Sequence, residues 1–262
     1  MPRTAFALLL AVLPSAALAA SHTVEVRVSN GKTAYAKKFT MVDREQGSHV
    51  LPVKGKDGRY QEMIFNGLLA PLSRQPGAYE LQYQVELSGG RDAEGPSIQS
   101  QSDVVLRAGE GLNAVECGSW KIDLLLDGGS FPAKNAPGNL RVGAELTGDK
   151  AKIACRQVVR PGAQANVADS LKRKGKKHGL VFNLLPGPDE KGVFLQYQLS
   201  YTPLSAPKGS FQTHGQETLI LGKKSVTKKS GYQLALTAEG RLPEAERKPA
   251  KPDESQAVPM LR

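Results

Sequence analysis

Cysteine, histidine and tryptophan are nearly missing from this chain of 262 residues, which has two, four and one of them. Two lone cysteines, Cys117 and Cys155, with no histidine at ligand spacing, fall short of the four ligands of a structural zinc site. His22, His49, His178 and His214 are scattered, none at metal-like spacing from another. There is no G-x-S-x-G elbow, no H-E-x-x-H pair and no Walker loop. The Gly-Gly pairs at 89–90 and 128–129 lack the strand-to-helix setting of a phosphate cradle. The expectation is therefore no catalytic residue, no metal and no cofactor. Aromatic residues make up only 6% of the chain and none interleaves with its basic run, which argues against a base-stacking surface for nucleic acid. Beyond the first twenty residues no long apolar run exists, so no transmembrane segment is expected.

What the chain does contain is itself, twice. Leu81-Gln82-Tyr83-Gln84 returns 114 residues later as Leu195-Gln196-Tyr197-Gln198. Collinear matches surround it: Phe65-Asn66 with Phe182-Asn183, Gly109 with Gly222, Trp120 with Tyr232, Leu124 with Leu236, Gly128 with Gly240. Further upstream Val26 falls opposite Val142 and Gly47 opposite Gly162. A period this long is a whole unit rather than a solenoid turn.

Each copy reads as strands. Thr23 to Val28, Leu81 to Leu87 and Leu195 to Tyr201 alternate apolar and polar residues, which places one face in a core and the other in water. Turn signals such as Ser29-Asn30-Gly31, Lys56-Asp57-Gly58 and Ser88-Gly89-Gly90 separate the runs. Only Asn166 to Lys174 has the pattern of a short helix. The expected fold is all-β: two tandem antiparallel sandwich or barrel-like domains of about seven strands, over 20–130 and 131–240. The glutamines Gln82, Gln84, Gln99, Gln101, Gln196, Gln198 and Gln212 fall on strand positions that would share a wet sheet face. The aromatics Trp120 and Tyr232 read as packing residues.

The first nineteen residues have the form of a secretory signal: Arg3, an apolar stretch from Ala5 to Leu13, and a small-residue site at Ala17-Leu18-Ala19. Cleavage after Ala19 would yield a periplasmic or secreted protein. The Pro-, Glu- and Lys-rich stretch 241–262 reads as a disordered tail. In an oxidising compartment Cys117 and Cys155 are expected to pair. They are not equivalent positions of the repeat, so their bond would tie one copy to the other. It would close 38 residues, worth about 4 kcal/mol in the chain-entropy account.

Charge separates the copies. Residues 22–129 carry 12 Lys/Arg against 14 Asp/Glu, a net of −2, and residues 130–240 carry 17 against 7, a net of +10. The cations cluster at Lys172, Arg173, Lys174, Lys176 and Lys177, and at Lys223, Lys224, Lys228 and Lys229. These nine are the candidate anion-binding residues, since a run of cations stays solvated unless an anion meets it.

Two sandwich domains behind a signal peptide, in a chain that is basic as a whole, resemble the periplasmic pilus chaperones, although the Arg and Lys those place between their domains have no matching motif here. The stretch Ser97 to Leu106, with Gly109 and Trp120-Lys121-Ile122 after it, resembles a hairpin of outer-membrane secretins. Neither resemblance assigns a family. The expected function is a non-catalytic, exported binding or envelope-organising protein. Its basic second copy would contact an anionic partner: lipopolysaccharide, glycan, lipid head groups or an acidic protein. The alternatives are an assembly chaperone that pairs with a client strand, and a glycan hydrolase built on a carboxylate pair between the copies.

Overall fold

The structure is a computed structural model that describes residues 20–31, 33–54, 60–88, 96–128, 138–148, 151–173, 176–203 and 210–240. The proposed signal segment, the 241–262 stretch and Lys174 lie outside the described residues. Sixteen strands and no helix are found among the described residues. The first copy supplies β1 (Ser21–Ser29), β2 (Ala34–Val42), β3 (Gln46–Lys54), β4 (Tyr60–Pro71), β5 (Ala78–Ser88), β6 (Pro96–Arg107), β7 (Gly111–Cys117) and β8 (Trp120–Leu126). The second supplies β9 (Leu140–Gly148), β10 (Ala151–Val159), β11 (Ala165–Arg173), β12 (Lys176–Asp189), β13 (Gly192–Thr202), β14 (Phe211–Leu219), β15 (Lys224–Lys229) and β16 (Tyr232–Gly240). Each copy therefore has eight strands rather than about seven, and they fall within 20–130 and 131–240.

The strands form two eight-stranded antiparallel sheets. Sheet A runs β15-β16-β9-β10-β7-β8-β1-β2, and sheet B runs β14-β13-β12-β11-β6-β5-β4-β3. Each copy is thus four strands over four, and both sheets continue across the boundary between copies. The strand order repeats in the same direction, so a shift along the sheets relates the copies, not a two-fold axis. The seam in sheet A pairs β7 with β10 at three positions, Val115↔Gln157, Glu116↔Arg156 and Cys117↔Cys155. The seam in sheet B pairs β6 with β11 at six, from Gln101↔Asn166 to Pro96↔Leu171.

Period-two patterning explains which face is inside. Val24, Val26 and Val28 of β1 are fully buried, as are Leu81, Val85 and Leu87 of β5, while Gln82 and Gln84 between them point out. Most buried apolar side chains of both copies belong to one continuous core, with Phe65 and Phe182 among its largest members, and Ala78 and Val105 form a small separate cluster.

Three readings from sequence change. Asn166 to Arg173 is not helical, and Lys174 lies outside the described residues: Ala165–Arg173 is strand β11, in which Ala165, Val167 and Asp169 alternate inward against β12 and β6. Only two of these inward residues are apolar, and the third, Asp169, accepts from Trp120 of the other layer, so the strand depends on its sheet neighbours and not on a local apolar alternation. The match of Val26 to Val142 is two residues out of register. Val26 pairs with Leu124 and Ala144 pairs with Leu236, so Val26 corresponds to Ala144. Gly162 corresponds not to Gly47 but to Arg44. Both adopt a positive φ (62° and 83°), and their N–H groups donate to the equivalent carbonyls of Leu69 and Pro186. The strand register decides these matches, whereas residue identity alone favoured the nearest valine and glycine.

Cys117 and Cys155 form a disulfide, buried at the seam of sheet A. Polar contacts support it across the layers and the boundary. Trp120 Nε1 donates to Asp169 Oδ1 at 3.0 Å, and Ser102 Oγ donates to the Val158 carbonyl at 2.9 Å. The Arg160 guanidinium pairs with Glu80, and the Arg160 N–H donates to the Asp103 carbonyl.

Candidate functional site

The seam in sheet B fixes a register that runs through all eight strands. Read across the sheet, Ser48, Asn66, Gln84, Gln101, Asn166, Asn183, Gln198 and His214 stand directly opposite one another in turn. All eight lie on the face turned away from the core, part-buried or exposed. At about 4.8 Å per strand the row is roughly 34 Å long. Its members bond laterally: Ser48 Oγ donates to Asn66 Oδ1 (2.6 Å), Asn66 Nδ2 to Gln84 Oε1 (3.3 Å) and Asn183 Nδ2 to Gln198 Oε1 (3.2 Å), with a further Asn166–Asn183 bond. An amide carries two donors and two acceptor lone pairs, so a lateral chain still leaves each residue outward-facing capacity.

Two grooves lie on this face and are built from matching positions. In the first copy Gln46, Asn66, Gln82, Tyr83 and Gln84 line one of about 240 Å³. In the second Gln164, Asn183, Gln196, Tyr197 and Gln198 line one of about 530 Å³. The copies differ at Gly215, which takes the place of Ser102. A Cβ at Gly215 would lie 2.8 Å from Tyr197 Oη, so the glycine makes room for a ring that packs, half-buried, against the core beneath the groove. Its counterpart Tyr83 is buried, with Oη 3.3 Å from Ser100 Oγ. Burial pushes the Tyr83 phenol up to about 12, and burial followed by the Glu217 charge raises Tyr197.

Among the described residues the candidate cations fall in two separate regions. Lys172↔Lys177 and Arg173↔Lys176 pair at the tip of the β11–β12 hairpin in sheet B. Lys223, Lys224, Lys228 and Lys229 belong to β15 and the turn before it, at the edge of sheet A. Lys228 and Lys229 lie on the rim of sheet A, toward the β11–β12 end of the sandwich. Lys229 pairs with Tyr232, whose ring lies 5.1 Å from that of Phe211, and Phe211 is level with Tyr201 and Leu180 near the start of β12. Together with Thr147 and Tyr232 the two lysines line a groove of about 530 Å³ at that rim. Lys224 sits at the other end of β15, where its Nζ donates to Glu145 at 2.7 Å and holds that exposed carboxyl below its usual range.

Sequence inspection picked out glutamines of this face but missed Asn166, Ser48 and the continuity of the row. Parity within one strand places a residue on a face, while its neighbours across the seam depend on pairing between residues far apart in the chain. Two further clusters had no signal in sequence. His22 lies between Asp127 (Nδ1–Oδ2 2.8 Å) and Asp43 (Nε2–Oδ1 3.4 Å) and packs on Tyr79, tying the start of β1 to the β2–β3 turn and the end of β8. Glu80 and Asp103 converge on Arg160 at the seam. Burial, then the Glu80 charge, raises the Asp103 carboxyl, and Arg160 opposes them. Among the described residues no group of three or more His, Cys, Asp or Glu is arranged to hold a metal ion, and no helix is long and apolar enough to cross a membrane.

Comparison with protein-family models, with curated proteins and with solved structures finds no match to this chain.

Proposed function

We propose that this is an exported, non-catalytic binding protein for an extended anionic polysaccharide, which lies along the outer face of sheet B. The observation that carries the reading is the eight-residue polar row, in register across every strand of the sheet. A hydroxyl-rich polymer offers alternating donors and acceptors along its length, as the amides do. The anionic character of the ligand follows from the second copy, whose Lys228 and Lys229 line the rim groove. The two terms differ in salt dependence, because exposed ionic contacts are screened within about 8–10 Å at ordinary ionic strength whereas amide hydrogen bonds are not.

The test is calorimetric titration with an acidic polysaccharide and its neutral backbone. Asn183→Leu with Gln198→Leu should weaken binding of both polymers at least about tenfold, close to 1.4 kcal/mol, at every salt concentration. Lys228→Ser with Lys229→Ser should weaken only the acidic polymer, and only at low salt. Wild-type affinity in both variants would sink the reading.

The observation behind the second reading, glycan hydrolysis, is the Asp103 carboxyl raised by burial at the copy-one groove beside Glu80. Release of reducing ends by wild type, abolished by Asp103→Asn, would replace binding with catalysis. Strand addition by a client is the weaker alternative. Edge strand β2 carries Lys37 and Lys38, β15 carries Lys228 and Lys229, and β3 carries Pro52, and such residues discourage pairing at an edge.

A further inference from the structure

The shift that relates the copies makes the two ends of the sandwich counterparts of the internal seam. The free edge of β2 corresponds to β10 and that of β15 to β7; likewise β3 corresponds to β11 and β14 to β6. Whatever pairs at the seam has an equivalent at each end of the molecule that pairs with no further strand among the described residues. The registers specify which residues these are. Val26 pairs with Lys37 as Ala144 pairs with Cys155, so Lys37 stands where the second copy has Cys155, and Lys38 where it has Arg156. Trp120 pairs with Cys117 as Tyr232 pairs with Lys229, so Lys229 stands in place of Cys117, and Lys228 in place of Glu116.

At the seam, then, Cys117 is bonded to Cys155 and Glu116 lies 3.6 Å from Arg156. At the ends the same four positions are all lysine. A second copy docked end-on as the halves are docked internally would set Lys229 against Lys37 and Lys228 against Lys38. Like charges directly opposite across strands repel. Lys37 is also set on the inward face of β2, between buried Tyr35 and Phe39, yet is itself exposed. An inward charge on an edge strand is a known guard against edge pairing. In the other layer Pro52 of β3 takes the place of Ser170, whose Oγ lies 2.7 Å from Ser97 Oγ at the seam. The most exposed large apolar side chains among the described residues are Val50 on β3, Val226 on β15 and Ile220 just past β14, all at these ends.

We propose that the two ends of the sandwich are complementary halves of a head-to-tail interface for a second copy of this chain, held open by four opposed lysines. The partner is a second copy because the template is this chain's own seam, and both layers repeat it in the same direction. The interface does not close on itself, so copies that overcame the repulsion would add in an open series. This inference shares Lys228 and Lys229 with the polysaccharide reading but does not rest on it: it concerns sheet edges, not the amide row on the outer face of sheet B.

The experiment rebuilds the seam at the ends of the full chain: Lys37→Cys, Lys38→Arg, Lys228→Glu and Lys229→Cys together. Sedimentation velocity at low salt should show one small species for wild type and a series extending beyond the dimer for the variant. Peptide mapping should find residues 37 and 229 joined between chains. Raising salt to about 1 M, where screening acts within about 3 Å, should increase the mass of wild type. A folded variant that stays monomeric, or one that stops at the dimer, overturns the proposal. Should the fourfold variant misfold, Lys228→Glu alone must associate detectably more strongly than wild type at low salt, and equal behaviour overturns it. Binding of the polysaccharide probe by monomeric protein bears only on the earlier reading.

Discussion

Reducing the Cys117–Cys155 bond removes the single covalent link across the seam of sheet A, and the structure sets the size of the effect. The bond closes a loop of 38 residues. Constraining such a loop in the unfolded chain is worth about 4 kcal/mol. In a domain of this size that corresponds to a fall in Tm of roughly 8–16 °C. Both sulfurs are buried, so reduction leaves thiols that fill the same space. The double substitution Cys117→Ala with Cys155→Ala adds the loss of packing, and should therefore cost more than reduction alone. The place of opening is also specified. Sheet A joins the copies at three paired positions and sheet B at six. In reduced protein the amides of Val115 to Cys117 and of Cys155 to Gln157 should lose protection from hydrogen exchange before those of Asn166 to Leu171. Guanidinium unfolding of oxidised and reduced protein, with exchange read residue by residue, tests both points. A stability difference below about 1 kcal/mol would refute the entropic argument. Earlier exchange in β11 than in β7 would refute the account of the seam.

Trp120→Phe keeps a ring in the core but removes the Nε1–H bond to buried Asp169, a contact between copies; a loss of about 1–3 kcal/mol is expected, and an unchanged urea midpoint would contradict it. Tyr83 governs part of the alkaline limb. Its phenol rises from 10.0 to about 12 on folding, so the native state holds the proton more tightly and its stability declines as pH climbs from 10 to 12. The decline attributable to this group is about 2–3 kcal/mol. Tyr83→Phe should flatten the pH dependence in that window, and equal slopes for variant and wild type would remove Tyr83 as its source.

The duplication and the strand content were legible because they are written locally. Leu81 to Gln84 and Leu195 to Gln198 keep both identity and alternation, and alternation alone puts Leu inside and Gln outside. The closing aromatics were legible too, but not their different uses: Trp120 bonds to Asp169 across the seam, whereas Tyr232 packs on Phe211 near the free end. The seam was not legible, since β7–β10 and β6–β11 join strands far apart in the chain and neither pairing alters a period. The cysteines hinted at it, as residues that the two copies do not share. The nine cations looked like one population in sequence. In the fold, Lys224 is held by Glu145, Lys228 and Lys229 line a rim groove, and the hairpin cations sit in the other layer.

The shift relating the copies also decides how the molecule bears a mechanical load. β1 and β16 lie one strand in from opposite ends of sheet A. Tension between them acts across the strands and would peel hydrogen bonds one at a time, the direction in which a sheet is weakest. The three-position seam would be the first cross-section to tear. It is there, between β7 and β10, that the disulfide sits, acting as a rivet at the point of least lateral strength. Under oxidising conditions failure is redirected outward to β1–β8, paired at six positions, and then to β9–β16, paired at eight, and the two copies stay joined at the seam.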